Sequence, residues 1–367
     1  MKNLLRLLLP LLLASSLSAQ DTLLSSRTST FSHWQIGLNV GYAMPNNFDM
    51  MEYATGTYGI DLTWFSRSVG TEYWRLRKHY PAFGLRASFA CIPHAVYGHR
   101  FGLAGIVQAP LSRHLDYHLA LGLSSFTRPH SITHDPENIF ISSILSCLID
   151  VGFDLRISHR YLLSASLLHS SNGMLLFPNK GLNFLQLGAA VKLGNSYERT
   201  LDWQHSRDLI PETCDTTAFG YQPSEFNIAF APGTVMSRDT AYPGYYFCYD
   251  LSLTYQRYLS PTFAYGASID LWYNFVDREQ LQHEKASYTL PVYLSALGIM
   301  EFFWGPLSLK AGLGFSIVSS PQVSTPLYER VGAYYNLRRA FLGVGINAHG
   351  GRIEFIEWTL GYRFPIK

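Results

Sequence analysis

Beyond its N-terminal segment the chain alternates apolar and polar residues with a period of two. Trp34, Ile36, Leu38, Val40 and Tyr42 share one face, and Gln35, Gly37, Asn39 and Gly41 share the other. The same beat runs through 58–64, 83–89 and 115–123, with Asp61, Thr63, Arg86, Ser88, Asp116 and His118 on the polar side. A period of two is the signature of a strand, because successive side chains leave a pleated backbone on opposite sides. Further strands are predicted over 101–111, within 139–157, from Tyr161 and from Asn183. After 224 about eight more follow, over 226–231, 247–258, 263–273, 292–303, 307–317, 331–337, 341–347 and 353–364.

The connections alternate in length. Tight turns are expected at 112–114, 158–160, 260–261, 305–306 and 338–339, and longer loops at 44–56 and 127–138. Bacterial membrane barrels place short turns in the periplasm and long loops outside. The stretch 66–81 departs from this as a long periplasmic connection. With the N-terminus in the periplasm, the strand from Tyr161 is the seventh and ends at the cell exterior.

Composition narrows the fold class. Aromatic residues make up 15% of the chain and charged residues also 15%, against about 25% charged in soluble domains. No run of about 18 apolar residues occurs after the N-terminal segment, so no transmembrane helix is written here. Low charge, alternating strands and many Tyr and Trp together predict an all-β, antiparallel transmembrane β-barrel of about 12 to 16 strands in the bacterial outer membrane. Two tandem eight-stranded barrels, joined by the polar stretch 195–224, are the alternative. Residues 1–19, with Lys2, Arg6 and an apolar centre ending in small residues, read as a secretory signal, and 20–367 as the barrel region. The net charge of +2 includes no basic cluster that suits nucleic acid. Cys91, Cys147, Cys214 and Cys248 could pair in an oxidising compartment, but their spacing selects no pairing and has no metal-ligand regularity. No metal or cofactor is expected.

The candidate chemistry lies between 161 and 194. Tyr161, Leu163, Ala165 and Leu167 form an apolar face that runs on into His169 and Ser171. Asn183 opens a second apolar face that continues through Leu185, Leu187, Ala189, Val191 and Leu193. His, Ser and Asn thus meet at adjacent strand ends on the side that faces lipid, at the outer rim. Residues two apart on a strand point the same way, so His169 is placed to take the proton of Ser171. Asn183 is placed to hold the other ring nitrogen, and Asn172, Gly173 and Asn179 are the nearby donors for a developing oxyanion. Alone, the pair means little, since a chain with 13 His shows His-x-Ser about once by accident. No Gly-x-Ser-x-Gly elbow of a soluble esterase is evident. The sequence Asn347-Ala348-His349-Gly350 also ends an outward strand, but no Ser follows at the same spacing, so no second site is expected.

The string His169-Ser170-Ser171-Asn172-Gly173, followed by Pro178-Asn179 and by Gly181-Leu182-Asn183, resembles the outer-membrane lipid A 3-O-deacylase (PagL-type) family. Longer chains with features such as Trp74–Pro81 and Asn138–Ser143 look like its acyloxyacyl hydrolase branch. The resemblance is specific over 169–183, extends over 20–194 and is silent over the second half. It implies an eight-stranded barrel that removes an ester-linked acyl chain from lipid A of lipopolysaccharide. His169 and Ser171 match the base and nucleophile, Asn172 the Asn after the Ser, and Pro178-Asn179 the Pro-Asn of the loop. At position 183 the family's Glu is replaced by Asn. The competing expectation is a non-catalytic channel or scaffold with a decayed motif. Whether the barrel forms a homodimer is left open.

Overall fold

The computed structural model describes residues 31–366 apart from 46–47, 68–74, 76, 174, 195–223, 238–240, 242, 284–290 and 320–324. The expected signal segment, Cys214 and nearly all of the expected junction lie outside the described residues. Among the described residues sixteen strands close as two separate antiparallel barrels of eight, so the transmembrane-barrel class holds in its tandem form. The first contains β1 (Phe31–Pro45), β2 (Thr55–Arg67), β3 (Ala82–Cys91), β4 (His99–Pro110), β5 (Leu115–Phe126), β6 (Leu145–Arg156), β7 (Tyr161–Ser171) and β8 (Leu182–Leu193). The second contains β9 (Ser224–Met236), β10 (Tyr245–Ser260), β11 (Phe263–Asn274), β12 (Val292–Trp304), β13 (Leu307–Val318), β14 (Leu327–Leu337), β15 (Ala340–His349) and β16 (Arg352–Ile366). A helix, α1 (Phe275–His283), follows β11.

Closure decides against one large barrel. β1 pairs with β8 from Trp34↔Leu193 to Pro45↔Leu182, and β16 pairs with β9, so no edge is left to join the two sheets. Each pairing satisfies a row of backbone donors and acceptors that would cost several kcal/mol apiece if left unpaired in lipid.

The alternation becomes an outside and an inside. Leu38, Val40, Leu62, Leu103, Val151, Leu163, Leu185 and Leu187 are exposed on the first barrel, as are Ile228, Leu251, Ile269, Leu313 and Leu360 on the second. Trp34, Trp64, Tyr58, Tyr161 and Tyr245 stand near the ends of these apolar belts. Lipid-facing aliphatics flanked by aromatic girdles, around a polar interior, make this an outer-membrane protein.

Eight-stranded barrels are narrow enough for side chains to fill, and both interiors carry buried ion pairs. In the first, Arg86 contacts Asp150 at 2.5 Å, and Asp154 binds His118 Nδ1 at 2.9 Å and Gln108 at 2.7 Å. In the second, Arg330 reaches Asp250 and Asp270, each at 2.9 Å, and Glu357 at 2.5 Å. Below it Arg363 bridges Glu225 at 2.6 Å and Glu301 at 2.8 Å. These networks replace the open lumen that a single larger barrel would supply to a channel.

The barrels touch at both ends. At the periplasmic end, Trp304 Nε1 donates to the Tyr117 hydroxyl at 2.9 Å, and Lys78 lies 5.7 Å above the Trp304 ring. Burial pushes the Lys78 ammonium below its usual range. At the outer end, Phe177 packs against the cluster of Val235, Cys248, Trp272, Tyr293 and Phe355. Cys91, Cys147 and Cys248 are free thiols.

Candidate active site

β7 is the seventh strand, and His169 and Ser171 end it at the outer rim, as the strand parity requires. Tyr161, Leu163 and Leu167 are exposed while Leu162 and Leu168 are buried, so the odd positions, His169 and Ser171 included, lie on the lipid side. Ser170 points inward and accepts from Ser124 Oγ at 3.0 Å.

The register places His169 directly opposite Asn183. Their side chains meet, with His169 Nδ1 2.8 Å from Asn183 Oδ1. An amide oxygen only accepts, so Nδ1 carries the proton and Nε2 keeps the lone pair that a general base needs. Nε2 is buried and has no hydrogen-bond partner among the described residues. The Nε2–Ser171 Oγ contact expected from the spacing is therefore not made, although both residues lie on one face. Catalytic hydrogen bonds are often long before substrate binds. Ser171 is 5% exposed.

The loop after Ser171 is held from two sides. Asn172 donates its side-chain amide to Ser142 Oγ at 2.9 Å and to the Leu176 carbonyl at 3.0 Å, and its backbone N–H donates to Asn179 Oδ1 at 3.3 Å. The Lys180 and Gly181 N–H groups bond the carbonyls of Ile139 and Phe140. That neighbouring loop is itself pinned by Asn138, whose Oδ1 accepts from the N–H groups of Phe140 and Ile141. Sequence reasoning put Asn172 among the oxyanion donors. Here its side-chain amide is committed to Ser142 and to the Leu176 carbonyl.

Gly173 marks where the second barrel meets this loop. Its φ of +60° is the left-handed conformation that favours glycine, and a Cβ there would come within 2.1 Å of Ile356 Cδ1. Ile356 stands on the outer face of β16. The spacing of 169–183 gave no sign of this contact, since the two residues are far apart in sequence.

No group of three or more His, Cys, Asp or Glu able to hold a metal ion occurs among the described residues. The residues at this rim are a serine hydroxyl, an imidazole whose Nδ1 faces an amide oxygen, and that amide.

Comparison with known proteins adds a finding on the other half of the chain. Residues 218–366 match the family described as acyloxyacyl hydrolase, C-terminal domain. The match covers the second barrel, over which the sequence motif was silent. Among solved structures, the outer-membrane enzyme PagL is 15% identical, with a TM-score of 0.34, covering 43% of this chain and 98% of that one. The Neisserial surface protein A is 11% identical, with a TM-score of 0.28, covering 44% of this chain and 97% of that one. A mutant of the Rh. blastica porin spans 91% of this chain and all of its own at 9% identity and a TM-score of 0.20. No curated protein matches the sequence.

Proposed function

We propose that the first barrel is a serine esterase that removes an ester-linked acyl chain from lipid A of lipopolysaccharide in the outer leaflet. The observation that carries this reading is the 2.8 Å contact between His169 and Asn183 on the lipid side of the outer rim, two residues from Ser171. A soluble esterase encloses its nucleophile in a pocket; a site on the lipid face suits a substrate whose acyl chains already lie in the membrane. The match of residues 218–366 to an acyloxyacyl hydrolase family supports ester chemistry.

In the reaction, His169 Nε2 takes the Ser171 hydroxyl proton as Oγ bonds to the ester carbonyl carbon. The oxyanion is held by Gly173 N–H and the Asn179 amide. On collapse the sugar–oxygen bond to the acyl carbon breaks, and the imidazolium returns the proton to the departing sugar hydroxyl. Water, deprotonated by the same nitrogen, then releases the fatty acid from Ser171. Asn183 holds the ring through both halves but adds no charge. The competing reading, a non-catalytic channel or scaffold, gains least from two narrow eight-stranded barrels in place of one wide one.

The test compares lipid A masses from cells that express the protein, its Ser171→Ala variant, or neither. Loss of one acyl chain with the native protein alone supports the reading. An unchanged acyl count in cells with folded native protein overturns it.

A further inference from the structure

The second barrel holds a Ser–His pair of its own. His349 ends β15, the seventh strand of that barrel, as His169 ends the seventh strand of the first. Its ring points into the barrel instead of toward lipid, and its Nε2 lies 2.9 Å from Ser316 Oγ. Ser316 comes from the outer end of β13, with β14 between the two strands, so no spacing rule in the sequence links them. Ser295, directly opposite Ser316 in the register, places its Oγ 2.9 Å from Ser316 Oγ. Beyond the ring, His349 Nδ1 is 4.0 Å from Glu354 Oε1.

The protons can be assigned from these contacts. A bare Nδ1 lone pair facing a carboxylate is electrostatically unfavourable, whereas Nδ1–H facing it is favoured. Nε2 is then unprotonated and accepts from Ser316, which in turn accepts from Ser295. That is the arrangement of an activated serine: nucleophile on the base, base turned by a carboxylate on its far side. The first site lacks both the formed Ser–His bond and the carboxylate.

Two further observations bear on the site. The ring of His349 sits in an aromatic box, with centroids at 5.2 Å from Tyr328, 5.7 Å from Trp272 and 6.2 Å from Tyr293. Trp272 and Tyr293 are stacked at 3.6 Å, which fixes the indole, and the buried Trp272 Nε1–H has no acceptor among the described residues. A dry N–H donor in the wall of a Ser–His site is the type of group that an ester carbonyl oxygen would satisfy. Ser316 itself is only partly buried.

We propose that Ser316, His349 and Glu354 form a second, independent esterase site, open at the outer mouth of the second barrel. It faces the mouth of the barrel and not the lipid, so its substrate class is a water-borne ester that reaches the partly exposed Ser316. Ser316 Oγ bonds to the acyl carbon while its proton passes to His349 Nε2; the alcohol leaves with that proton. Water then cleaves the acyl-serine to the free acid, its proton passing through His349. The carboxylate of Glu354 closes on Nδ1–H as the imidazolium forms.

The test uses full-length protein folded in detergent with Ser171→Ala in place, so that the first site is silent. A fluorophosphonate probe should label Ser316, located by peptide mass spectrometry, and p-nitrophenyl acetate should be hydrolysed. Adding Ser316→Ala or His349→Gln should remove the label and lower turnover roughly 100-fold or more. Retained heat-modifiable migration in gels shows that each variant is folded. A folded Ser171→Ala protein whose Ser316 stays unlabelled, or whose turnover Ser316→Ala leaves unchanged, overturns the proposal without bearing on lipid A deacylation.

Discussion

Asn183 occupies the position at which a carboxylate would do more, and changing it separates orientation from charge. As it stands, the amide oxygen accepts from His169 Nδ1–H at 2.8 Å, a neutral hydrogen bond worth about 1 kcal/mol net. Asn183→Asp keeps the shape and makes the bond charge-assisted, in the range of about 1.5–3 kcal/mol. The extra stabilisation, about 1–2 kcal/mol, is largest when the imidazolium forms in the transition state, which corresponds to a rise of about 5- to 30-fold in kcat/KM. Asn183→Ala removes the acceptor and leaves Nδ1–H buried and unpaired, a cost of about 1–3 kcal/mol or about 5- to 160-fold. Lipid A deacylation measured by mass spectrometry in mixed micelles, over a range of pH, reads both variants. A merely structural role for Asn183 would make both variants slower in proportion to their loss of stability. Activity of Asn183→Asp at or below the native level in folded protein, or full activity of Asn183→Ala, refutes the assignment of this residue as the support of the base.

Four further outcomes are expected. Gly173→Ala places a side chain at a φ of +60° and against Ile356, so it should cost about 1–2 kcal/mol at the loop and slow deacylation; adding Ile356→Ala should relieve the contact but not the backbone strain, giving partial recovery. Trp304→Phe and Tyr117→Phe, combined in a double-mutant cycle on urea unfolding, should show a coupling of about 0.5–1.5 kcal/mol if the 2.9 Å bond joins the barrels in solution, and none if it does not. Arg330→Met leaves Asp250, Asp270 and Glu357 without their shared cation and should destabilise the second barrel by about 3–5 kcal/mol, seen as a lowered heat-modification temperature while the first barrel persists. Burial raises the Asp277 carboxyl in α1 above the usual carboxylate range, opposed by its hydrogen bond from Tyr293. A raised carboxylate binds its proton more tightly when folded, so stability falls as pH rises from the unfolded value through the folded one; Asp277→Asn should abolish that fall, as followed by limited proteolysis of α1 against pH.

The sequence was enough to determine everything that depends on period and parity. Alternation over 34–42, 58–64 or 115–123 is a local property, and it named the strands, their lipid faces and the outward end of β7. The adjacency of His169 and Asn183 was legible for the same reason, since β7 and β8 are consecutive antiparallel strands and the two residues lie at the ends that the loop 172–181 joins. Tertiary structure decided what depends on pairing between distant segments. Whether β8 returned to β1 or continued to β9 is a matter of edge closure, and a polar stretch at 195–224 is compatible with either. The assignment of Asn172 to loop-pinning, the seating of Ile356 against Gly173 and the meeting of Ser316 with His349 each join residues whose separation along the chain carries no signal. They are set by barrel curvature, which turns inward-facing side chains of non-adjacent strands toward one another across a narrow interior.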